Sequence, residues 1–197
     1  MLGPTLKGDR VTLRPIREEE AEIFVSFLCD PVVTRFMGSV MPITLEQELE
    51  WLKKESTNPN TVLWGIEFDE RLVGNIGMGI NWDRGTGELG AMLGDRSVWG
   101  LKLMKEAGQL ARDYLFTHLP LRKIKGGYID GNGASQRAQE RAGFHETGRL
   151  RAEYFRDGAW RDHVFTELWR EDWEKQRAEL VNESACSSQI PGLGCER

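Results

Sequence analysis

Apolar and polar residues alternate along Arg10-Val11-Thr12-Leu13-Arg14-Pro15, the period of a half-buried strand, and the proline puts a strand end or a sheet edge there. The period then lengthens. Ala21, Phe24 and Leu28 fall at helical spacing between Arg17 and Leu28, and Leu45, Leu49 and Leu52 do so in a helix starting near Thr44, for which Glu48 is the expected capping-box partner. Alternation returns at Val62, Trp64, Ile66 and Phe68. The polar turn Asp69-Glu70-Arg71 leads into a second run, Leu72 to Ile80, which predicts a hairpin. After the turn cluster Asn81 to Gly85, Thr86 to Leu93 adds a third strand with Leu89, Ala91 and Leu93 on one face, so the three form an antiparallel meander.

A wide apolar stripe follows, Leu103, Ala107, Leu110 and Tyr114 with Met104, Ala111 and Leu115 beside them, which predicts a helix that Pro120 ends. Next come a strand over Arg122–Ile129, a helix from about Ala134 to Ala142 closed by Gly143, and two strands around Arg149–Phe155 and Asp162–Trp169 joined at Arg156-Asp157-Gly158. Strand, helix, strand implies a parallel pair inside an otherwise antiparallel sheet, because a crossover of that length returns the chain to the same edge. The fold class is therefore α/β, or α+β. Residues 1–181 are expected to form one domain, and the Ser/Gly/Pro-bearing end from about Asn182 a loosely ordered tail.

Composition narrows the function by exclusion. The 197 residues are 40% hydrophobic and 29% charged, which suits one globular domain. Net charge is -5 with no long basic run, so nucleic acid is not expected as a ligand. A signal-peptide core and a membrane-length apolar stretch are both missing, which makes the cytoplasm the expected location. Cys29, Cys186 and Cys195 have no metal-ligand spacing, and no metal is expected.

The segment with most chemical content runs from Glu88 to Ala107. There a strand ends in a tight loop and a helix is expected to start near Gly100, so unpaired amides and the positive helix end face one spot that attracts phosphate. Four segments in order resemble the GNAT superfamily, in particular its RimJ/RimL-like branch, over roughly residues 8 to 175. They are Gly8-Asp9-Arg10-Val11-Thr12-Leu13-Arg14-Pro15; Val98-Trp99-Gly100 with Lys105-Glu106-Ala107; Asn132-Gly133-Ala134-Ser135 followed by Glu140-Arg141-Ala142-Gly143-Phe144; and Gly148-Arg149-Leu150-Arg151 with Gly158-Ala159-Trp160-Arg161-Asp162.

The resemblance implies a GNAT fold, helices on both faces of the sheet, and an N-acetyltransferase with acetyl-coenzyme A as acyl donor. The sheet would be splayed between the strand ending at Leu93 and the one beginning near Arg122, with the pantetheine arm in the gap. Backbone groups of Met92 and Leu93 would bind that arm, the loop Ser97, Val98, Trp99, Gly100, Leu101, Lys102 and Leu103 would hold the pyrophosphate, and Asn132 would support the pantetheine end. The acceptor would be a small-molecule amine or a protein N-terminus, and the protein a monomer or homodimer.

The loop departs from the family pattern, which has Gln or Arg where Ser97 stands and Gly or Ala where Lys102 stands. Lys102 is then expected to swing outward or to meet a phosphate with its ammonium, with Arg96 standing in for the displaced residue. This departure also motivates a second reading, a catalytically inactive binding or regulatory module. An amine must be neutral to attack, so a carboxylate acting through water is expected: Glu88 beside the gap, or Glu153, at the place of the branch's proposed base. The family's usual tyrosine is replaced by Gln139, which leaves Ser135 to assist the departing thiolate, with Tyr154 as the alternative and an N-cap as the other role open to Ser135. Trp64 or Trp82 is a candidate for the acceptor cleft. His118, His145 and His163 read as surface or structural residues, and Asp162 as a turn residue.

Overall fold

A computed structural model describes residues 1–187, with side chains up to residue 179. Eight strands form one sheet: β1 (Leu6–Lys7), β2 (Thr12–Arg14), β3 (Thr61–Phe68), β4 (Arg71–Asn81), β5 (Thr86–Leu93), β6 (Lys123–Ile129), β7 (His145–Arg156) and β8 (Ala159–Trp169). Their spatial order is β1-β2-β3-β4-β5-β6-β8-β7. Every neighbouring pair is antiparallel except β5 with β6. The helices are α1 (Ala21–Leu28), α2 (Pro31–Thr34), α3 (Leu45–Thr57), α4 (Leu103–His118), α5 (Gly133–Arg141) and α6 (Arg170–Ser187).

Local chemistry sets the ends of these elements. The β3–β4 turn places Asp69 and Glu70 at φ 48° and 59°, and the β7–β8 turn places Asp157 and Gly158 at 52° and 74°. Two consecutive positive φ values give the turn whose twist matches that of the flanking strands. Gly143, at φ 82°, follows the end of α5 as the residue pattern predicts. Thr44 caps α3 in a capping box, but its partner is Gln47, not Glu48. Gln47 is the third helical residue, the one that reaches back; Glu48 lies a further 100° round and turns into the protein. The final helix runs to Ser187, past the point where a tail was expected at Asn182; the remainder of that tail lies outside the described residues.

Strand alternation divides the core in two. Val62, Trp64, Ile66, Ile76, Met78, Ile124 and Leu168 face α4, whose Leu103, Ala107, Ala111 and Leu115 are fully buried. Trp173 of α6 closes this layer by stacking on Phe116 at 5.1 Å and donating to Asp113. On the other face Leu63 and Leu72 meet Ile16, Phe24 and Leu52, and Phe27, Leu49 and Met92 pack against them. That layer, α1 to α3, covers the β3–β5 side of the sheet.

Candidate active site

The parallel pair is short. β5 and β6 share only Thr86↔Lys123, Gly87↔Ile124 and Glu88↔Lys125, after which Leu89–Leu93 and Gly126–Ile129 run on unpaired with one another. β5 stays in register with β4 as far as Leu93, and β6 stays with β8 to Ile129. A wedge therefore opens between two strands that are each held on their far side. Both strands feed helices at the wide end, β5 into α4 and β6 into α5, so two helix N-termini stand at its mouth.

The β5–α4 loop is built by Asp95. Its Oδ1 accepts from Ser97 N at 2.9 Å and Ser97 Oγ at 2.6 Å, and these bonds hold the carboxyl below the usual carboxylate range, against the opposing effect of burial. Ion pairs to Arg71 and from Arg96 to Asp30 tie the loop to its surroundings. The amides of Val98, Trp99 and Leu101 also have backbone partners within the loop. Among the described residues those of Gly100, Lys102 and Leu103 have none, so the free amides of this loop lie in its later part. The helix likewise begins at Leu103 rather than near Gly100, because Gly100 at φ 85° and Lys102 at φ 63° delay it by left-handed turns. A cavity of about 240 Å³ at this helix end is lined by Asp9, Lys102, Lys105, Glu106 and Gln109. The Lys102 side chain is exposed on its rim.

Two residues to which the sequence pattern assigns no role, Arg10 and Glu106, brace this loop. Arg10 donates from Nη1 to the Leu101 carbonyl at 2.9 Å, and Glu106 Oε1 accepts from the Arg10 and Val11 amides. Trp99 Nε1 donates to the Leu93 carbonyl at 3.0 Å, so this acceptor at the strand end is already in use. Gly94 N donates to Val73 O, so by strand alternation the backbone of Met92 faces β4, and that of Ala91 and Leu93 faces the wedge.

Lateral register shows which side chains share the face of the sheet with α1 and α3. They are Gly77 and Gly79 on β4; Glu88, Gly90 and Met92 on β5; Lys125 and Gly127 on β6; Arg161, His163 and Phe165 on β8. A Cβ added at Gly79 or Gly90 would meet nothing within 4 Å, so the glycines floor an open groove. His163 lies over Gly127, its Nε2 2.8 Å from where a Cβ would stand, with Phe165 at 4.3 Å and Tyr154 at 5.5 Å. This histidine therefore borders the wedge instead of lying apart from it. The signal was its parity with Phe165, but only the pairing with a glycine of β6 reveals the location.

Ser135 sits on the opposite face, in the first turn of α5. Asn132 Oδ1 accepts from Ser135 N at 3.2 Å and caps the helix. Gln139 accepts from Thr166, donates from Nε2 to Gly127 O at 2.9 Å and to Ser135 Oγ at 3.0 Å, and so leaves the serine hydroxyl hydrogen free to donate. Glu153 is exposed on β7, in a bulge where Arg151 to Glu153 oppose the single residue Asp162, and β8 separates it from the wedge. Trp64 is wholly buried on the α4 face and donates to Pro4 O, so it does not line the acceptor cleft; its alternation with Val62 and Ile66 decides this. Trp82 lies in the β4–β5 turn at the narrow end. Asp162 does hold local structure, accepting from Ala152 N at 3.0 Å.

Residues 10–145 match the family model described as an acetyltransferase (GNAT) domain, and the chain belongs to that family. N-acetyltransferase p20 of Bacillus licheniformis, itself uncharacterised, is 31% identical over 75% of this chain and 85% of its own. A crystal structure from T. thermophilus described as an acetyltransferase is 30% identical, covers 92% of this chain and 97% of that one, and superposes with a TM-score of 0.73. The fold is shared with spermidine N-acetyltransferase from Vibrio cholerae in complex with CoA and spermine, at 19% identity, 84% and 99% coverage and a TM-score of 0.77. The protein is thus an acyl-CoA-dependent N-acetyltransferase, on a mixed sheet with one parallel pair.

Proposed function

We propose that the protein transfers an acetyl group from acetyl-coenzyme A to a primary amine, on a protein N-terminus or a small molecule, by direct attack with both substrates bound, and that it belongs to the RimJ/RimL-like branch. The observation carrying this reading is the β5/β6 wedge opening beneath the N-terminus of α4. The donor supplies a thioester carbonyl that reacts with neutral amines. The free amides of Gly100, Lys102 and Leu103, with the Lys102 and Lys105 ammonium groups, suit a diphosphate. At the end of β5 the wedge-facing backbone of Leu93, beside Met92, and the side-chain amide of Asn132 serve the pantetheine arm. A Cβ on Gly79 or Gly90 would meet nothing within 4 Å, which leaves room there for the acceptor.

An acceptor arrives as an ammonium, with a pKa near 10 for a lysine-like amine or about 8 for an α-amino group, and must lose a proton. Glu88 stands at the last paired position of the wedge, on the acceptor face and in solvent contact, and takes that proton through water. His163 flanks the same floor from the other side, and Glu153 is the more remote candidate. Ser135, oriented by Gln139, donates a hydrogen bond to the departing sulfur. The test is thiol release over a panel of peptides, polyamines and small amines, paired with a thermal shift in acetyl-CoA. Stabilisation by the coenzyme with no release from any acceptor would defeat the reading in favour of an inactive module.

A further inference from the structure

The β7–β8 hairpin carries two partly buried arginines that no carboxylate among the described residues neutralises. Tyr154↔Arg161 and Arg156↔Ala159 are register partners, so Tyr154, Arg156 and Arg161 share the acceptor face with His163. Arg156 and Arg161 each have a buried Nε without an acceptor. Arg156 uses its remaining nitrogens on uncharged carbonyls, Met37 O at 2.6 Å, Gly38 O at 3.2 Å and Phe155 O at 2.8 Å. Arg161 is half-buried and has no hydrogen bond or ion pair among the described residues. Carboxylates are within reach of their neighbours: Arg35 pairs with Asp157, and Arg149 with Glu146. A guanidinium drawn out of water without a counter-ion is costly, and an orphaned buried donor calls for a ligand.

Its place in the fold says which ligand. A Cβ on Gly131 would stand 3.9 Å from Arg161 Nη1 and 3.7 Å from Phe36 Cε1, which puts the guanidinium at the end of β6, one residue before Asn132. Phe36 belongs to the segment after α2, and Arg156 reaches the same segment, so hairpin and helical layer meet over the groove. The coenzyme cradle lies across the wedge, at the end of β5. We infer that Arg161, with Arg156 and Tyr154 beside it, forms an anion-recognition subsite for the acceptor, and that the acceptor is an amine whose own skeleton carries a carboxylate. The planar fork of a guanidinium matches a carboxylate in two hydrogen bonds. β8 is the strand next to β6, about 5 Å away, so a carboxylate a few bonds from the amine spans the interval. The protein's net charge of -5 opposes such a substrate at long range, and the two cations reverse that field locally.

This inference rests on the acetyl-transfer reading for the ligand's identity, so the experiment has one arm free of turnover. Wild type, Arg161→Gln and Arg161→Lys are melted in rising malonate at constant ionic strength, with and without acetyl-CoA. Malonate is expected to raise the melting temperature of the wild type and not that of Arg161→Gln, while the acetyl-CoA shift is the same in both. Equal malonate responses overturn the inference, and loss of the acetyl-CoA shift in Arg161→Gln assigns the arginine to the coenzyme's phosphates instead. Should the glutamine variant not fold, Arg161→Lys keeps the charge and lacks the fork; a weakened malonate response is expected, and a full one overturns the proposal. In the second arm, free amino acids and acidic dipeptides are compared with their carboxamide counterparts. Arg161→Gln is expected to lower kcat/KM about tenfold or more for the carboxylates, the equivalent of about 1.4 kcal/mol, and to leave the amides nearly unchanged. An equal fall in both series overturns it. If neither series releases thiol, the acetyl-transfer reading fails and the malonate response alone decides whether the anion site exists.

Discussion

Single carboxylates in this protein pull stability in opposite directions with pH. Glu48 is 4% exposed, its carboxylate has no hydrogen-bond or ion-pair partner among the described residues, and burial pushes it above the usual range. The unfolded chain releases that proton near pH ~4.3, before the folded protein does, so its contribution falls as pH rises out of the ordinary carboxylate range. Glu48→Gln is therefore expected to melt higher than wild type at pH 7, with the difference shrinking toward pH 4. Glu20 is the reverse. Burial pushes its carboxyl up, but bonds from Arg14 and from the Arg17 amide outweigh that and hold it below the usual range. Its stabilisation is complete above the unfolded carboxylate pKa and is lost only as pH falls through the depressed value. Glu20→Ala leaves Arg14, buried at 7% exposure, with Glu67 alone, and denaturant unfolding is expected to show a loss of about 3–5 kcal/mol. Both glutamates look alike in the chain; partners brought by the fold distinguish them.

At the scale of elements, the strained start of α4 decides how the β5–α4 loop behaves. Lys102 holds φ 63°, a conformation costing a non-glycine residue roughly 1–2 kcal/mol. Lys102→Gly is expected to raise the melting temperature of the free protein, by relief of that strain, and, if the cavity at the α4 N-terminus takes the phosphates as proposed, to weaken acetyl-CoA binding severalfold through loss of an ammonium there. A calorimetric titration that shows tighter binding would make the lysine a tolerated deviation instead of a ligand. Glu106→Ala removes the acceptor for the Arg10 and Val11 amides and is expected to cost about 1–2 kcal/mol, with faster amide exchange in the β1–β2 turn. The long periodic elements were legible: α4, the β3–β5 meander and the β7–β8 hairpin stand where alternation and turn residues put them. The start of α4 lies three residues beyond Gly100, where the loop pattern puts it, because a 3₁₀ turn and a left-handed lysine leave no mark in hydrophobic periodicity.

Across the whole molecule, ligand binding and the groove separate cleanly. Acetyl-CoA at a hundredfold over its Kd is expected to stabilise the protein by about 2.7 kcal/mol, visible as a thermal shift. Gly79→Val places a side chain where nothing stands within 4 Å, so the fold and that shift are expected to persist while the acceptor KM rises tenfold or more. An unchanged KM would move the acceptor away from the α1–α3 face.

What the sequence determined by itself was the order of the elements, the strand and helix periods and the ordered motifs around Gly100 and Asn132. These depend on neighbours a few residues apart along the chain. The tertiary structure alone decided that β8 inserts between β6 and β7, that His163 borders the wedge, that Trp64 is core, and that Arg156 and Arg161 share one face without a counter-ion among the described residues. Each of those depends on lateral register between strands far apart in the chain, and hydrophobic alternation tells which residues share a face but not which strand lies beside which.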